Sequence, residues 1–379
     1  MPLPPGAVIL QVLPSLGSGG VERGTIEMVQ AIARAGGRPL VASAGGRLEP
    51  AVADAGGRHL MLPLSSKNPV RMWRNAASLA RLIRREGVQI VHARSRAPAW
   101  SASLAARRTG TRFLTTYHAP YDESTPGKRA YNAVMARGER VIAISEFIAE
   151  LVHERHRIPT SRIRLIPRGV DTAIFDPAMV DPGRVAALRT AWHLEPHQPV
   201  VLLPGRLSRW KGQLVLIQAL RWLRTPGLVC VIAGPLRDRD QYVGQLQARA
   251  KSLGFEDRVR FVGVCDDMPA GLAAADVVVN ASVEPEGFGR TVIEAQAMRR
   301  PVVASDHGGA AETVEHGVTG WRVAPGDPVA LAAAIDRVLA LPAAERDAVG
   351  AAARQSVLAR YTTSAMQRAT LEVYNELLD

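Results

Sequence analysis

The sequence predicts an α/β chain built as two doubly wound, parallel-sheet domains. Three observations carry that reading. Short β-rich apolar runs alternate with amphipathic helical stretches, the pattern of βα units whose strands are covered by helices on both faces. The alternation comes as two series, separated by a polar stretch that carries Pro177, Pro182, Pro196 and Pro199. The chain of 379 residues is also longer than one hydrophobic core usually organises.

The first series of strands is expected at 7–12, 38–42, 90–93, 112–116, 141–144 and 163–166. Between them lie helical patterns such as 71–85, with Met72, Trp73, Ala76, Leu79, Leu82 and Ile83 on one face and five arginines elsewhere, a core-facing stripe. Residues 176–198 read as a linker with a short helix over 185–192. The second series follows at 200–204, 229–233, 258–262, 277–281, 301–304 and 320–323, and the Ala/Leu/Arg-rich tail from 327 onward is helical in pattern. The expected organisation is a first domain over 1–175, the linker, a second domain over 199–360 and a final helix over 361–379. No repeat of 20 to 50 residues and no low-complexity tract is present. In such sheets ligands bind beyond the C-terminal strand ends, here in a cleft between the domains.

Composition excludes several classes. An apolar fraction of 47% and a charged fraction of 22% are globular averages, so disorder and fibre are excluded. Cys230 and Cys265 alone imply neither a disulfide framework nor a cysteine metal site, and a reducing, cytoplasmic compartment fits. The N-terminal stretch lacks the basic region of a signal peptide, and no run of about 20 apolar residues occurs, so the chain is expected to be soluble or peripheral on a membrane. The net charge of +12 is uneven: residues 1–180 hold 25 Lys/Arg and 13 Asp/Glu, the remainder 22 of each.

The most informative stretch runs from Glu284 through Glu286, Gly287, Phe288, Gly289 and Glu294 to Ser305. It follows a strand, carries a glycine loop, opens a helix near Thr291 and ends in the next strand. A helix N-terminus with flanking glycines suits an anion such as a pyrophosphate. Glu286 and Glu294 can accept hydrogen bonds from neutral hydroxyls on either side of it, which suits a ligand with a sugar at one end and a ribose at the other. A second cluster, Gly205-Arg206-x4-Lys211-Gly212, follows the strand that opens the second series. Arg206 offers a planar fork and Lys211 a point charge for phosphate oxygens. Two basic residues in a loop are by themselves ordinary solvated surface; at an equivalent strand end of the same sheet they read as ligand groups.

With Ile166-Pro-Arg168-Gly-Val-Asp171 and Gly17-Ser-Gly19-Gly20-Val-Glu22, these motifs resemble, in order and spacing, the retaining glycosyltransferases of the two-Rossmann-domain (GT-B) type, family 4. The resemblance covers essentially the whole chain. It implies transfer of a sugar from a nucleoside-diphosphate sugar, as co-substrate, to a saccharide or lipid-linked acceptor in cell-envelope, lipopolysaccharide-type glycan synthesis. By that resemblance Arg206 and Lys211 neutralise the diphosphate, Glu286 engages donor-sugar hydroxyls, and the backbone of Gly287, Phe288 and Gly289 reaches the sugar or diphosphate. Glu294 takes the ribose hydroxyls and the stretch 262–264, ending at Val264, contacts the base. Gly19 and Gly20 let the first-domain loop approach the diphosphate, and His118 matches a position beside the donor sugar. No metal or other cofactor is implied, and retention needs no carboxylate nucleophile if the acceptor hydroxyl attacks from the front and gives its proton to the leaving phosphate. One departure stands out: Arg168 takes the place of the family's usual Asn and could serve an anionic acceptor.

Other readings fit less well. A dinucleotide fingerprint would need glycine where Glu22 sits and an acid at the end of the second strand, which offers none. A nucleotide-sugar 2-epimerase would share fold and donor but need no acceptor. Asp238-Arg-Asp240 resembles a metal-binding pair but reads as solvated loop. Nucleic-acid binding, or another non-catalytic role on an anionic polymer, lacks a stacking platform or reading motif to accompany the scattered arginines. Arg94, Arg96, Arg107, Arg108, Arg112, Lys128, Arg129, Arg137 and Arg140 do crowd one stretch with Trp100, Tyr121 and Tyr131. They suggest an anionic acceptor or an anionic membrane surface as the partner of the basic half.

Overall fold

A computed structural model describes residues 2–17, 19–235 and 241–379. The Asp238/Asp240 pair lies outside the described residues. The chain divides into two compact units, Met1–Arg168 with Thr363–Asp379, and Gly169–Thr362.

Thirteen strands, among the described residues, form one parallel sheet in each unit. Those of the first are β1 (Val8–Val12), β2 (Arg38–Ser43), β3 (Arg58–Met61), β4 (Ile90–Ala93), β5 (Arg112–Tyr117), β6 (Arg140–Ala143) and β7 (Ile163–Leu165), in the order β3-β2-β1-β4-β5-β6-β7. Those of the second are β8 (Val200–Pro204), β9 (Val229–Ala233), β10 (Val259–Gly263), β11 (Val277–Asn280), β12 (Val302–Ser305) and β13 (Trp321–Val323), in the order β10-β9-β8-β11-β12-β13. Both orders reverse between the first strand and the fourth, β1/β4 and β8/β11. At such a switch point the loops after the two strands leave in opposite directions and open a crevice at the C-terminal strand ends.

The central strands are fully buried, as the apolar runs of a doubly covered sheet require: β1, β4, β8, β9, β11 and β12 have no exposed residue. Strand β3 was not expected from the sequence. It is a short edge strand of half-buried residues, and Met61 is 62% exposed, so Arg58-His-Leu-Met carries no apolar signal. The helix expected over 71–85 spans Pro69–Glu86, capped by Asn68, whose side chain accepts from Val70 and Arg71. Its stripe buries Ala76, Leu79, Leu82 and Ile83, but Trp73 faces outward at 59% exposure with the Arg108 guanidinium 5.5 Å from its ring centre.

The proline-rich stretch is ordered and belongs to the second unit. Asp181 caps the helix Pro182–Ala191 through the Gly183 N–H, with Pro182 at the first turn where no N–H is needed. Arg184 clamps Asp267 at 2.8 and 2.6 Å, and Trp192 is buried beside Gly271. The last helix, Thr363–Leu378, packs in the first unit: Met366, Leu371, Val373, Tyr374 and Leu377 join a core with Ile9, Met28, Ile32 and Ile90. Two sheet ends, one per unit, thus carry the loops in which the candidate residues lie.

Candidate functional site

In the second unit the switch point is lined by the loops after β8 and β11. Gly205 leaves β8, and a tight turn over Arg209–Lys211 ends at Gly212, whose backbone is left-handed at φ 71°. A side chain at 212 would run into the carbonyl of Ala281, just past β11. Glycine is therefore required on two counts, backbone conformation and space. The Val283 N–H donates to the Trp210 carbonyl at 2.8 Å, so the two loops are stitched together.

That stitching brings Lys211 Nζ to 2.7 Å from Glu286 Oε2. The other oxygen, Oε1, accepts from Asn280 Nδ2 at 2.9 Å and from the Ser282 hydroxyl. Burial by itself pushes this carboxyl up. The charge and hydrogen bond of Lys211, with the bonds from Ser282 and Asn280, outweigh it and hold Glu286 below its usual range. His307 Nε2 donates to the Ser282 carbonyl at 2.8 Å, and the Gly309 N–H donates to the Glu286 main-chain carbonyl at 2.9 Å, so the loop after β12 fixes the backbone that carries this carboxylate. Gly289 begins the helix Arg290–Ala297 with φ 83° and no side-chain cap. Buried on that helix, Glu294 stands 3.7 Å from Arg290 Nε. Phe288 is buried edge-on against Tyr361. Arg206 is exposed and its side chain makes no hydrogen bond or ion pair among the described residues. Val264, past the end of the edge strand β10, is 54% exposed.

In the first unit Gly19 caps the helix Gly20–Arg34 after β1, in extended conformation and without a side-chain cap. Arg94 follows β4, His118 follows β5 and Arg168 follows β7. Arg94 is interior, 2% exposed, and donates to Gln11 Oε1 at 2.8 Å; it is therefore not part of the basic surface in which the sequence placed it. Burial lowers its guanidinium from the ordinary value, partly offset by Tyr374 and Glu27, yet a guanidinium starts so far above neutrality that it stays charged. Arg168, also buried, donates from Nη2 to His118 Nδ1 at 3.0 Å. His92 is held at both ring nitrogens, by Tyr374 at 2.8 Å and Thr116 at 2.7 Å. Burial, then the charges of Arg168 and Arg94 and the neighbouring His92, hold His118 well below the usual histidine range.

Much of the remaining basic stretch is locally partnered. Arg112 pairs with Glu139, Lys128 with Asp122 and Arg140 with Glu376. Arg96 lies 4.2 Å from the Tyr121 ring centre and Arg137 4.6 Å from that of Trp100. Among the described residues no group of three His, Cys, Asp or Glu side chains converges to hold a metal, and no helix is long and apolar enough to cross a membrane.

Two family models match successive parts of the chain. The model described as Glycosyltransferase Family 4 matches residues 18–174, and that of Glycosyl transferases group 1 matches 186–356. A crystal structure of a glycosyltransferase from Rickettsia africae is 35% identical and superposes with a TM-score of 0.91 over 99% of both chains. The chain belongs to glycosyltransferase family 4. Its two sheets are those of the GT-B fold. Among curated family members, the D-inositol 3-phosphate glycosyltransferase of Salinispora tropica is 33% identical over 72% of this chain, which spans 61% of that protein's length. The GDP-mannose-dependent alpha-(1-6)-phosphatidylinositol monomannoside mannosyltransferase of Mycolicibacterium smegmatis is 31% identical over 70% of this chain and 71% of its own.

Several groups around the family 4 motifs were not singled out in the sequence. Asn280, which ends the valine-rich strand β11, and Ser282 just past it brace Glu286, and Gly308-Gly309 repeat at β12 the glycine loop found after β11. Gln11, the one polar residue within β1, marks the position of Arg94.

Proposed function

We propose that this chain is a retaining glycosyltransferase that moves a sugar from a nucleoside-diphosphate sugar to a phosphate-bearing or otherwise anionic saccharide or lipid-linked acceptor. The observation that carries the reading is the Lys211–Glu286 pair at the β8/β11 switch point. It sets a cation for diphosphate oxygens beside an ionised carboxylate for sugar hydroxyls. Arg206, exposed and without a partner for its side chain among the described residues, adds a fork for the same diphosphate. Glu294 takes the ribose hydroxyls, Val264 lies against the base, and the helix N-terminus at Gly289 faces the charge that grows on the leaving group.

The retaining course of this proposal fits the groups present. Both oxygens of Glu286 are engaged by Lys211, Asn280 and Ser282, which suits a carboxylate that orients hydroxyls rather than one that attacks carbon. The acceptor hydroxyl forms its bond to the anomeric carbon on the face from which the phosphate departs, and its proton passes to the leaving phosphate oxygen. Charge neutralisation by Arg206, Lys211 and the helix makes the transfer independent of metal, a point checked by turnover in a chelator.

Support for an anionic acceptor comes from the two buried guanidinium groups of the first unit, Arg94 and Arg168, and from the names of the relatives, which include inositol 3-phosphate and a phosphatidylinositol mannoside. A cell-envelope saccharide of lipopolysaccharide type shares that chemistry. The test is a panel of nucleotide sugars scored by thermal shift, since a donor at 100 times its Kd adds about 2.7 kcal/mol to stability. Nucleoside diphosphate release is then measured for Glu286→Ala and Lys211→Ala. Stabilisation by one base and sugar, with release abolished in both variants, is the expected result. Absence of any stabilising nucleotide sugar, or retained release in both variants, would overturn the assignment.

A further inference from the structure

The contact between Arg168 and His118 is asymmetric in a way that fixes chemistry. A guanidinium has only N–H donors, so at 3.0 Å from Nη2 the His118 Nδ1 must accept. An imidazole that accepts at Nδ1 carries its one proton on Nε2. That Nε2 is buried and has no hydrogen-bond partner in the protein among the described residues. His92, two strand positions before Arg94 in the same cluster, differs: both its nitrogens are taken by Thr116 and Tyr374, so its role ends in the fold. A buried donor left unmatched costs stability, and its natural complement is a ligand oxygen.

We propose that Arg168 is a positioning residue: by donating to His118 Nδ1 it locks the ring as the Nε2–H tautomer, so that the substrate meets one hydrogen-bond donor and no acceptor at this point. The inference rests on the glycosyl-transfer reading for what the ligand is, but not for the state of the ring. The ligand atom received there is an oxygen with a lone pair to offer, a hydroxyl or phosphate oxygen, and an ammonium group is refused. The asparagine usual at this position in the family has both N–H and C=O on one amide and could hold either tautomer; arginine removes that freedom. The fold makes room for it. Gly24, within the helix Gly20–Arg34, is a position where any side chain would meet Arg168 Nη1, with a Cβ 2.5 Å away. A mid-helix glycine is less favourable than alanine, and the space the guanidinium needs explains it. The charged and titratable groups facing the ring are Arg168, Arg94 and His92.

The test uses the full chain labelled at its nine histidines. Long-range proton–nitrogen spectra, with His118 assigned by its loss in His118→Ala, report each ring's tautomer without any ligand. The expected result is a neutral Nε2–H ring whose shifts do not move between pH 8 and about 5.5, well into the range where an ordinary histidine titrates. In Arg168→Met, and in Gly24→Ala, which keeps the helix but displaces the guanidinium, His118 becomes a mixture of tautomers. Turnover of the best donor from a panel including UDP-glucose and GDP-mannose falls about tenfold in Arg168→Met, the worth of one oriented hydrogen bond. In a His118→Ala background the same substitution costs less than about twofold, which a purely structural role of Arg168 would not give. An Nδ1–H or protonated ring in the unsubstituted protein, or equal losses in both backgrounds, overturns the proposal. Failure of every nucleotide sugar to turn over would remove the functional reading, while the spectra still decide the tautomer.

Discussion

Lys211 Nζ and Glu286 Oε2 meet at 2.7 Å across the switch point of the second sheet, and both side chains are largely removed from water, at 14% and 8% exposure. A buried pair is expensive to leave half made, because removing one partner strands the other's charge, at a cost of about 3–5 kcal/mol. Glu286→Gln and Lys211→Met are each expected to lower stability by that order, and the double variant by clearly less than the sum. Denaturant melts of the four proteins measure the coupling.

The same pair sets an acid limit. The folded-state pKa of Glu286 lies below the ordinary carboxylate value of about 4.3, so its contribution is complete above that value and is lost as pH falls through the folded one. Stability against pH should be flat in this contribution from neutrality to about pH 5 and fall below it. Glu286→Gln should show a shallower acid limb, and an unchanged limb would mean that the carboxylate is not held ionised by its neighbours.

Gly212→Ala tests how the pair is built. A non-glycine residue at φ 71° costs about 1–3 kcal/mol, and the Cβ would also strike the Ala281 carbonyl. The β8 loop must move, carrying Lys211 away from Glu286. Expected are a lower melting temperature and loss of donor-induced stabilisation together. A melting temperature within a degree of the parent protein would show that the loop accommodates the methyl group and that the close approach is dispensable.

How much of this was legible in the sequence follows the burial. Strands such as Val200–Pro204 and Val277–Asn280 lie inside both helix layers, so their apolar runs were readable to within a residue. Arg58–Met61 lies on the sheet edge, exposed at both ends and partly covered between, so no alternation of apolar and polar residues is imposed on it and the sequence carries no strand signal there. The prolines at 177–199 suggested a linker because they break regular structure, yet Arg184 and Trp192 anchor the segment through partners, Asp267 and Gly271, far away in sequence. In the site, Lys211 and Glu286 could be found because glycines flank them. The bracing by Asn280, Ser282 and His307 could not, since it depends on side chains meeting across three strand ends. Arg94 illustrates the opposite error: charge alone assigns a residue to the surface, whereas here Gln11 draws it inside.

The basic surface makes a further expectation. With Arg94 interior, Arg96 and Arg129 bonded to Asn132 and the Arg155 carbonyl, and Arg112, Lys128 and Arg140 ion-paired, the exposed Arg107, Arg108 and Arg137 remain to meet an anionic leaflet. Each is worth about 1 kcal/mol near such a surface. Cosedimentation with phosphatidylserine vesicles at low salt, released by added salt as screening shortens to about 10 Å at 0.1 M, is expected. Replacing the three arginines with glutamine should weaken binding about 100-fold. Equal, salt-insensitive recovery in the supernatant with anionic and neutral vesicles would exclude a membrane partner and leave the charge to a soluble acceptor.

The last helix makes the sharpest stability prediction. Met366, Leu371, Tyr374 and Leu377 are buried in the first unit's core, each worth about 1.5–3 kcal/mol on burial, and the Tyr374 hydroxyl binds His92. Their sum matches the 5–15 kcal/mol that holds a typical domain folded. Truncation after Thr362 should therefore unfold the first unit while the second, whose core draws on residues 201–349, persists. Calorimetry and limited proteolysis should then find a stable fragment beginning near Gly169 and rapid digestion of what precedes it. Tyr374→Phe, which keeps the ring and removes only the hydroxyl, should cost about 1–3 kcal/mol, because His92 Nδ1 is left buried without its partner. A truncated chain that melts as one unit at the parent temperature would show that the helix adds no stability to the sheet on which it packs.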